Sequence, residues 1–153
     1  MKLSNDESHE RRLPDSKMLC GDDDDPRNDS ILSHYLGKEI AEVRAQYDVA
    51  LHPYLYDLWW MGPEAFCFYL PALVAYVKSD ASVGDGSVAE LCLPLGLQLD
   101  ANDSCCEYCG PEVVSLVLYI VSHWSKFEWT PGSNRLCRDL WDELVQKWGQ
   151  GAE

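Results

Sequence analysis

Positive charge is scarce in this sequence. It has 12 Lys and Arg against 26 Asp and Glu, a formal net charge of −14 at pH 7, and no Lys or Arg lies between Lys78 and Lys126. Binding to nucleic-acid phosphates needs clustered cations, so a direct nucleic-acid partner is not expected. The charge favours a basic protein partner, which a negative surface would steer into contact. A solvated acidic surface that only aids solubility is the alternative interpretation.

Long apolar runs are also missing. No stretch reaches the roughly 18 uninterrupted apolar residues typical of a membrane-spanning helix. The N-terminus, MKLSNDESHERRLPDSK, lacks the hydrophobic region of a secretory signal. We therefore expect a cytoplasmic protein with no membrane partner, whose seven cysteines are reduced thiols. At 153 residues the chain is long enough for one domain with a substantial core.

Catalytic motifs are absent as well. The chain has no P-loop, no dinucleotide-binding glycine motif, no G-x-S-x-G and no H-E-x-x-H. Its histidines are widely separated, and their spacing suggests no pairing with Ser, Cys or Asp: His9, His34, His52 and His123. The members of a catalytic triad need not be close in sequence, so a hydrolytic domain is kept as an alternative. The expectation is a protein that is not an enzyme and binds no cofactor.

One cysteine cluster is the single candidate for a metal site. Cys106 and Cys109 form a C-x-x-C pair with Cys105 beside it. Structural zinc needs two further ligands, and no second closely spaced pair exists. We therefore predict no metal, and keep a zinc-stabilised domain using Cys105, Cys106 and Cys109 as an alternative. The alternation of strands and helices that surrounds a thioredoxin-like C-x-x-C is also missing.

Helical periodicity dominates the rest of the chain. It predicts an all-α single compact domain of four to five helices over residues 30–150, after a disordered acidic tail at residues 1–29. The central helix covers residues 62–78 and is apolar nearly all round, which places it in the middle of the core. Pro63 suits the first turn of this helix, and Pro71 inside it predicts a kink.

The remaining helices are predicted from caps and breaks. One amphipathic helix runs from Ser30 to about residue 47, and a helical turn or connector covers residues 54–61. A short helix over residues 87–93 ends at Pro94 and Gly96, and residues 100–110 form a loop. Gly110-Pro111-Glu112 then begins a second core helix, and a last helix covers residues 135–147. The predicted core residues are Phe66, Tyr69, Leu70, Leu73, Val77, Leu116, Val117, Ile120 and Leu140.

The central helix also carries a family resemblance. GPEAFCFYLPA at residues 62–72 resembles the (Ser or Gly)-Pro-Glu-Ala-Phe-x-(Phe or Tyr)-Tyr-Leu-Pro-Ala motif of a widespread bacterial family of small helical proteins, a domain of unknown function. Cys67 occupies a position where that family usually has a basic residue. CGPEVVSLVLYIVSHW is similar to the second Pro-Glu helix of the family. The resemblance covers about residues 55–125 and implies a helical fold and a bacterial origin, with no activity or site residues.

These observations lead to a functional hypothesis. Small size, negative charge, many Trp and Tyr side chains and absent catalytic motifs favour an acidic protein-binding inhibitor of the immunity or antitoxin kind, which occludes a basic toxin or effector. A mimic of nucleic-acid charge, of the phage or host defence type, is a further alternative. The candidate partner-binding residues are Trp59, Trp60, Asp85, Glu90, Asp100, Asp103 and Glu107.

Overall fold

The computed structural model describes residues 12–21, 25–26, 28–101, 103–127 and 134–148, and within these ranges the chain is helical with no strand. The all-α class is therefore confirmed. The expected number of four to five helices is wrong, because the described residues form eight α-helices. They are α1 (Ser16–Cys20), α2 (Asn28–Tyr35), α3 (Ile40–Val49), α4 (Leu55–Trp60), α5 (Pro63–Lys78), α6 (Cys92–Ala101), α7 (Asp103–Ser122) and α8 (Asn134–Trp148). Short 3-10 turns cover His52–Tyr54, Asp80–Ser82, Gly86–Leu91 and Trp124–Lys126.

Helix α5 is the central element, as predicted. It begins at Pro63 after an extended Gly62, continues through Pro71 and ends at Lys78. It packs against α1, α3 and α7. Most of its circumference is buried, which is what its continuous apolar sequence requires. Its buried residues are Ala65, Phe66, Phe68, Tyr69, Leu70, Ala72, Leu73, Tyr76 and Val77.

Helix α1 lies in the segment that was predicted to be a disordered tail. Asp15 caps it by accepting a hydrogen bond from the Met18 amide at 2.9 Å, and Leu19 is fully buried in the core. The Gly62 amide donates to the Leu19 carbonyl at 3.0 Å. Residues 12–21 therefore belong to the folded unit, and the predicted boundary at residue 30 is wrong for them. Residues 1–11, 22–24 and 27 of the predicted tail lie outside the described residues, and Asn28 and Asp29 at its end belong to α2.

Helices α2 and α3 correct the prediction of one continuous helix. The chain turns at Gly37, whose φ of 74° is a backbone conformation that glycine adopts without a steric penalty. A capping box between Glu39 and Glu42 then begins α3. The buried hydroxyls of Tyr35 and Tyr47 share a hydrogen bond of 2.7 Å across the two helices.

The region after α5 also differs from the prediction. Pro94 and Gly96 lie inside α6 rather than ending a helix. Pro94 is the third residue of α6, where a helix amide has no partner within the helix. The predicted loop at residues 100–110 is mostly helix, and Pro111 lies within α7 rather than at its start.

Helices α5 and α7 run side by side in the same direction. Cys67 on α5 pairs with Cys109 on α7, and further along Lys78 Nζ lies 5.6 Å from the ring centroid of Tyr119. Helix α8 closes the core with Trp141, whose indole nitrogen donates to the Ala89 carbonyl at 2.9 Å. Of the nine predicted core residues, eight are buried and Leu140 is partly buried.

Candidate functional site

Three aromatic side chains of α4 form a cluster on the surface, which we call the aromatic patch: Tyr56, Trp59 and Trp60. The two indole rings are stacked with centroids 5.8 Å apart and planes inclined by 17°. Tyr56 lies 6.2 Å from Trp59 and 6.0 Å from Trp60. Tyr56 is 48% exposed and Trp60 is 43% exposed, whereas Trp59 is half-buried.

The local sequence explains why these rings face outward. Tyr56, Trp59 and Trp60 have the i, i+3, i+4 spacing that puts side chains on one side of a helix. Asp57 and Leu58, between them, are buried on the other side. Helix α4 is held on α6 by Gln98, whose side-chain amide donates to the carbonyls of Leu58 and Met61. The prediction named Trp59 and Trp60 and missed Tyr56, although the Y-x-x-W-W spacing indicates it.

The predicted acidic residues have different environments. Glu90 is exposed, and its Oε2 lies 3.6 Å from Nδ1 of His52 in the turn that precedes α4. This places Glu90 beside the segment that leads into the aromatic patch. Asp85 is already engaged within the fold, since it accepts hydrogen bonds from the Tyr76 hydroxyl at 2.5 Å and the Ser87 amide at 2.9 Å. Burial, and then the neighbouring Asp85, raise the pKa of the Tyr76 hydroxyl.

The other three predicted carboxylates lie outside the described side chains: Asp100, Asp103 and Glu107. The backbone of these residues belongs to α6 and α7, which corrects the acidic loop that was expected there. Of the predicted residues, Trp59 and Trp60 thus lie on α4 and Glu90 lies in the neighbouring turn, Gly86–Leu91. Asp85 instead accepts hydrogen bonds within the fold.

A Ser-His-Asp cluster that the sequence did not reveal lies between α2 and α4. Asp57 is 1% exposed and accepts hydrogen bonds from the Ser30 hydroxyl at 2.7 Å and from His34 Nδ1 at 2.5 Å. In a catalytic triad the two imidazole nitrogens separate the serine from the aspartate. Here Ser30 Oγ contacts the carboxylate directly and its nearest ring nitrogen, at 3.5 Å, is the same Nδ1. The imidazole therefore does not lie between the serine and the aspartate, and the cluster joins α2 to α4 through the Asp57 carboxylate.

The cysteines are arranged differently from the expected seven reduced thiols. Cys67 and Cys109 form a disulfide, with Cα atoms 5.8 Å apart. Cys109 is therefore not free to join the alternative zinc site, whose other residues, Cys105 and Cys106, lie outside the described side chains. Among the side chains that are described, no group of three or more His, Cys, Asp or Glu is placed to hold a metal ion.

Two further cysteines lie close together. Cys92 of α6 and Cys137 of α8 are both free thiols. Burial, and then the neighbouring Cys137, raise the pKa of the Cys92 thiol to about 12. Cys92 is therefore protonated at neutral pH and is a poor nucleophile.

No protein-family model matches this chain, and comparisons with curated proteins and with solved structures find no match either. The resemblance of residues 62–72 to a bacterial family therefore stays a prediction. None of the described helices is both long enough and apolar enough to cross a membrane.

Proposed function

We propose that this chain is a small acidic inhibitor of the immunity or antitoxin kind, which binds a basic toxin or effector through the aromatic patch. The observation that carries the proposal is the stacked Trp59 and Trp60 pair, with Tyr56 beside it, on the surface of α4. Tyr and Trp dominate the binding energy of many protein interfaces, because they bury a large apolar area at low cost in conformational entropy.

Charge supports the same interpretation. A protein with a net charge of −14 attracts basic partners over long range and accelerates their association at low salt. Glu90 lies beside the turn that leads into α4, so an approaching cationic side chain meets a carboxylate close to the aromatic patch. The aromatic rings would then supply the short-range contacts that slow dissociation.

The experiment begins by capturing partners from the native host with immobilised wild-type chain and with Trp60→Ala. Candidates are proteins retained by the wild type and absent from an empty matrix, and their retention by the variant is then compared. Binding rates are then measured with the purified partner. We expect Trp60→Ala to weaken affinity at least about tenfold, mainly through faster dissociation. Glu90→Lys should slow association severalfold at low salt and have little effect at high salt.

The matched control is Val49→Ala, because Val49 is 88% exposed on α3 and belongs to no aromatic cluster. It should leave both rates unchanged. An inhibitor must also protect cells, so co-expression of the wild type should relieve the toxicity of the partner while Trp60→Ala should not. A partner that binds both forms equally would contradict a role for the aromatic patch, and a partner with no toxic activity would contradict the inhibitor class.

A further inference from the structure

The Cys67–Cys109 disulfide lies on the wall of an open groove of about 880 Å³ between α5 and α7. Cys67 is half-buried and Cys109 is buried, so Cys67 is the more accessible of the two. The groove is large enough for a small reductant to enter. Its apolar lining includes Met18, Phe68, Leu70, Pro71, Val74, Pro111 and Leu116.

Both helices are weakened next to the disulfide. Pro71 lies four residues after Cys67 and has no N–H to donate to the Cys67 carbonyl. Pro111 lies two residues after Cys109 and interrupts the hydrogen-bond ladder of α7 in the same way. The covalent bond therefore joins the two helices where each has lost one of its own backbone hydrogen bonds.

The other end of the helix pair has a separate connection. Lys126 Nζ donates to the Val77 carbonyl at 2.7 Å, near the end of α5, and to the Tyr119 hydroxyl at 3.1 Å on α7. Ile120 and Val77 are fully buried at this end. Loss of the disulfide would thus loosen the Cys67 end of the pair and leave the Lys126 end in place.

We propose that Cys67–Cys109 is a site of thiol–disulfide exchange and that its redox state controls the opening of the α5–α7 groove at its Cys67 end. A dithiol reductant supplies the two electrons and two protons. One of its thiolates attacks Cys67 Sγ, the Cys67–Cys109 bond breaks, and Cys109 leaves as a thiolate that takes up a proton. The second thiol of the reductant then attacks the mixed disulfide, which releases Cys67 as a thiol and the reductant as its own disulfide.

The test uses the full chain with dithiothreitol as the probe. Free thiols are counted after reduction of the folded protein, and hydrogen exchange is measured in the oxidised and reduced states. We expect the count to rise by two without denaturant. Amides of residues 64–74 and 109–115 should exchange at least about tenfold faster after reduction, while those of residues 117–122 change little. Removal of dithiothreitol and reoxidation should restore slow exchange.

Two variants separate the outcomes. Cys67→Ser combined with Cys109→Ser should show fast exchange of the same amides with and without reductant, and no gain of two thiols. Val74→Trp, which fills the groove, should slow reduction severalfold, whereas Leu118→Trp, an exposed position on α7 outside the groove lining, should not. If dithiothreitol reduced the Cys67–Cys109 disulfide only in the presence of denaturant, the proposed site of thiol–disulfide exchange would be overturned. Equal rates of amide hydrogen exchange in the oxidised and reduced states would overturn the proposed opening of the groove. A uniform increase of these rates across the chain would overturn its restriction to the Cys67 end.

Discussion

The Tyr69 hydroxyl on the central helix donates to the backbone carbonyl of Tyr35, at 2.9 Å. The same hydroxyl lies 2.7 Å from the carbonyl of Lys38. Both carbonyls flank Gly37, at the end of α2, where the last C=O groups of a helix have no partners within the helix. Tyr69 therefore fixes the turn between α2 and α3 against α5, and this turn is the one that the sequence did not predict.

Tyr69→Phe removes this donor while keeping the buried ring. The one hydroxyl proton that the Tyr35 and Lys38 carbonyls share is then lost, and the Tyr35 carbonyl keeps only the Lys38 amide as a partner, so the free energy of unfolding at pH 7 should fall by about 1–3 kcal/mol. Urea unfolding followed by circular dichroism measures the change. Tyr56→Phe is the matched control, because that ring is on the surface and its loss of a hydroxyl should change stability by less than about 0.5 kcal/mol. Equal stability of the two variants would contradict a role for Tyr69 in holding the turn.

Stability should also fall at alkaline pH. Burial, and then Glu42, raise the pKa of Tyr69 from the ordinary 10.0 to about 12, and burial raises the pKa of Tyr35 and Tyr47 as well. The folded state thus keeps these protons at a pH where the unfolded chain releases them. The contribution of these buried tyrosine hydroxyls to the free energy of unfolding is complete below about pH 10 and is lost as the pH rises toward and beyond 12. The unfolding free energy should decrease from pH 10 upward, and less steeply in Tyr69→Phe. A flat profile up to pH 11.5 would contradict this assignment.

Gly62 is required by a close backbone approach. A Cβ atom at this position would overlap the Met18 carbonyl oxygen, which is backbone and cannot move aside as a side chain can. Gly62→Ala should therefore cost about 1–3 kcal/mol of stability by pushing α1 away from the start of α5. Gly96→Ala is the control, because its Cβ would meet only the flexible Leu144 side chain at 3.3 Å. Urea midpoints that rank the two variants in the opposite order would contradict the packing of α1 on α5.

The sequence predicted a helix correctly where its start signal and its hydrophobic pattern indicate the same element. The Gly62-Pro63-Glu64 start and the apolar surround of α5 indicate the same helix, and the structure contains it. The same start signal failed at Gly110, because α7 continues through Pro111. A glycine within a helix costs only about 1 kcal/mol, so propensity could not show that Gly37 would turn the chain. The Tyr69 hydroxyl that stabilises this turn lies more than 30 residues from Tyr35 in sequence, so no local pattern around Gly37 indicates it.

The candidate site was only partly predictable for similar reasons. Trp59 and Trp60 were named from composition, and helical spacing explains why Tyr56 joins them. The pairing of Cys67 with Cys109 was missed because cysteine spacing does not determine connectivity. The engagement of Asp85 by Tyr76 was also missed, since it depends on how the chain folds back after α5.

The Ser30, His34 and Asp57 cluster should behave as a structural contact and not as a catalytic site. Asp57→Ala leaves the half-buried Ser30 and His34 groups without their acceptor, so it should lower the free energy of unfolding by about 1–3 kcal/mol. Ser30→Ala removes one hydrogen bond to the carboxylate and should cost about 1.5–3 kcal/mol. Ser30 Oγ has no separate imidazole nitrogen to accept its proton, so a fluorophosphonate probe should label the wild type no more than Ser30→Ala. Mass spectrometry of the treated proteins measures this, and labelling of Ser30 in the wild type would restore the hydrolytic alternative.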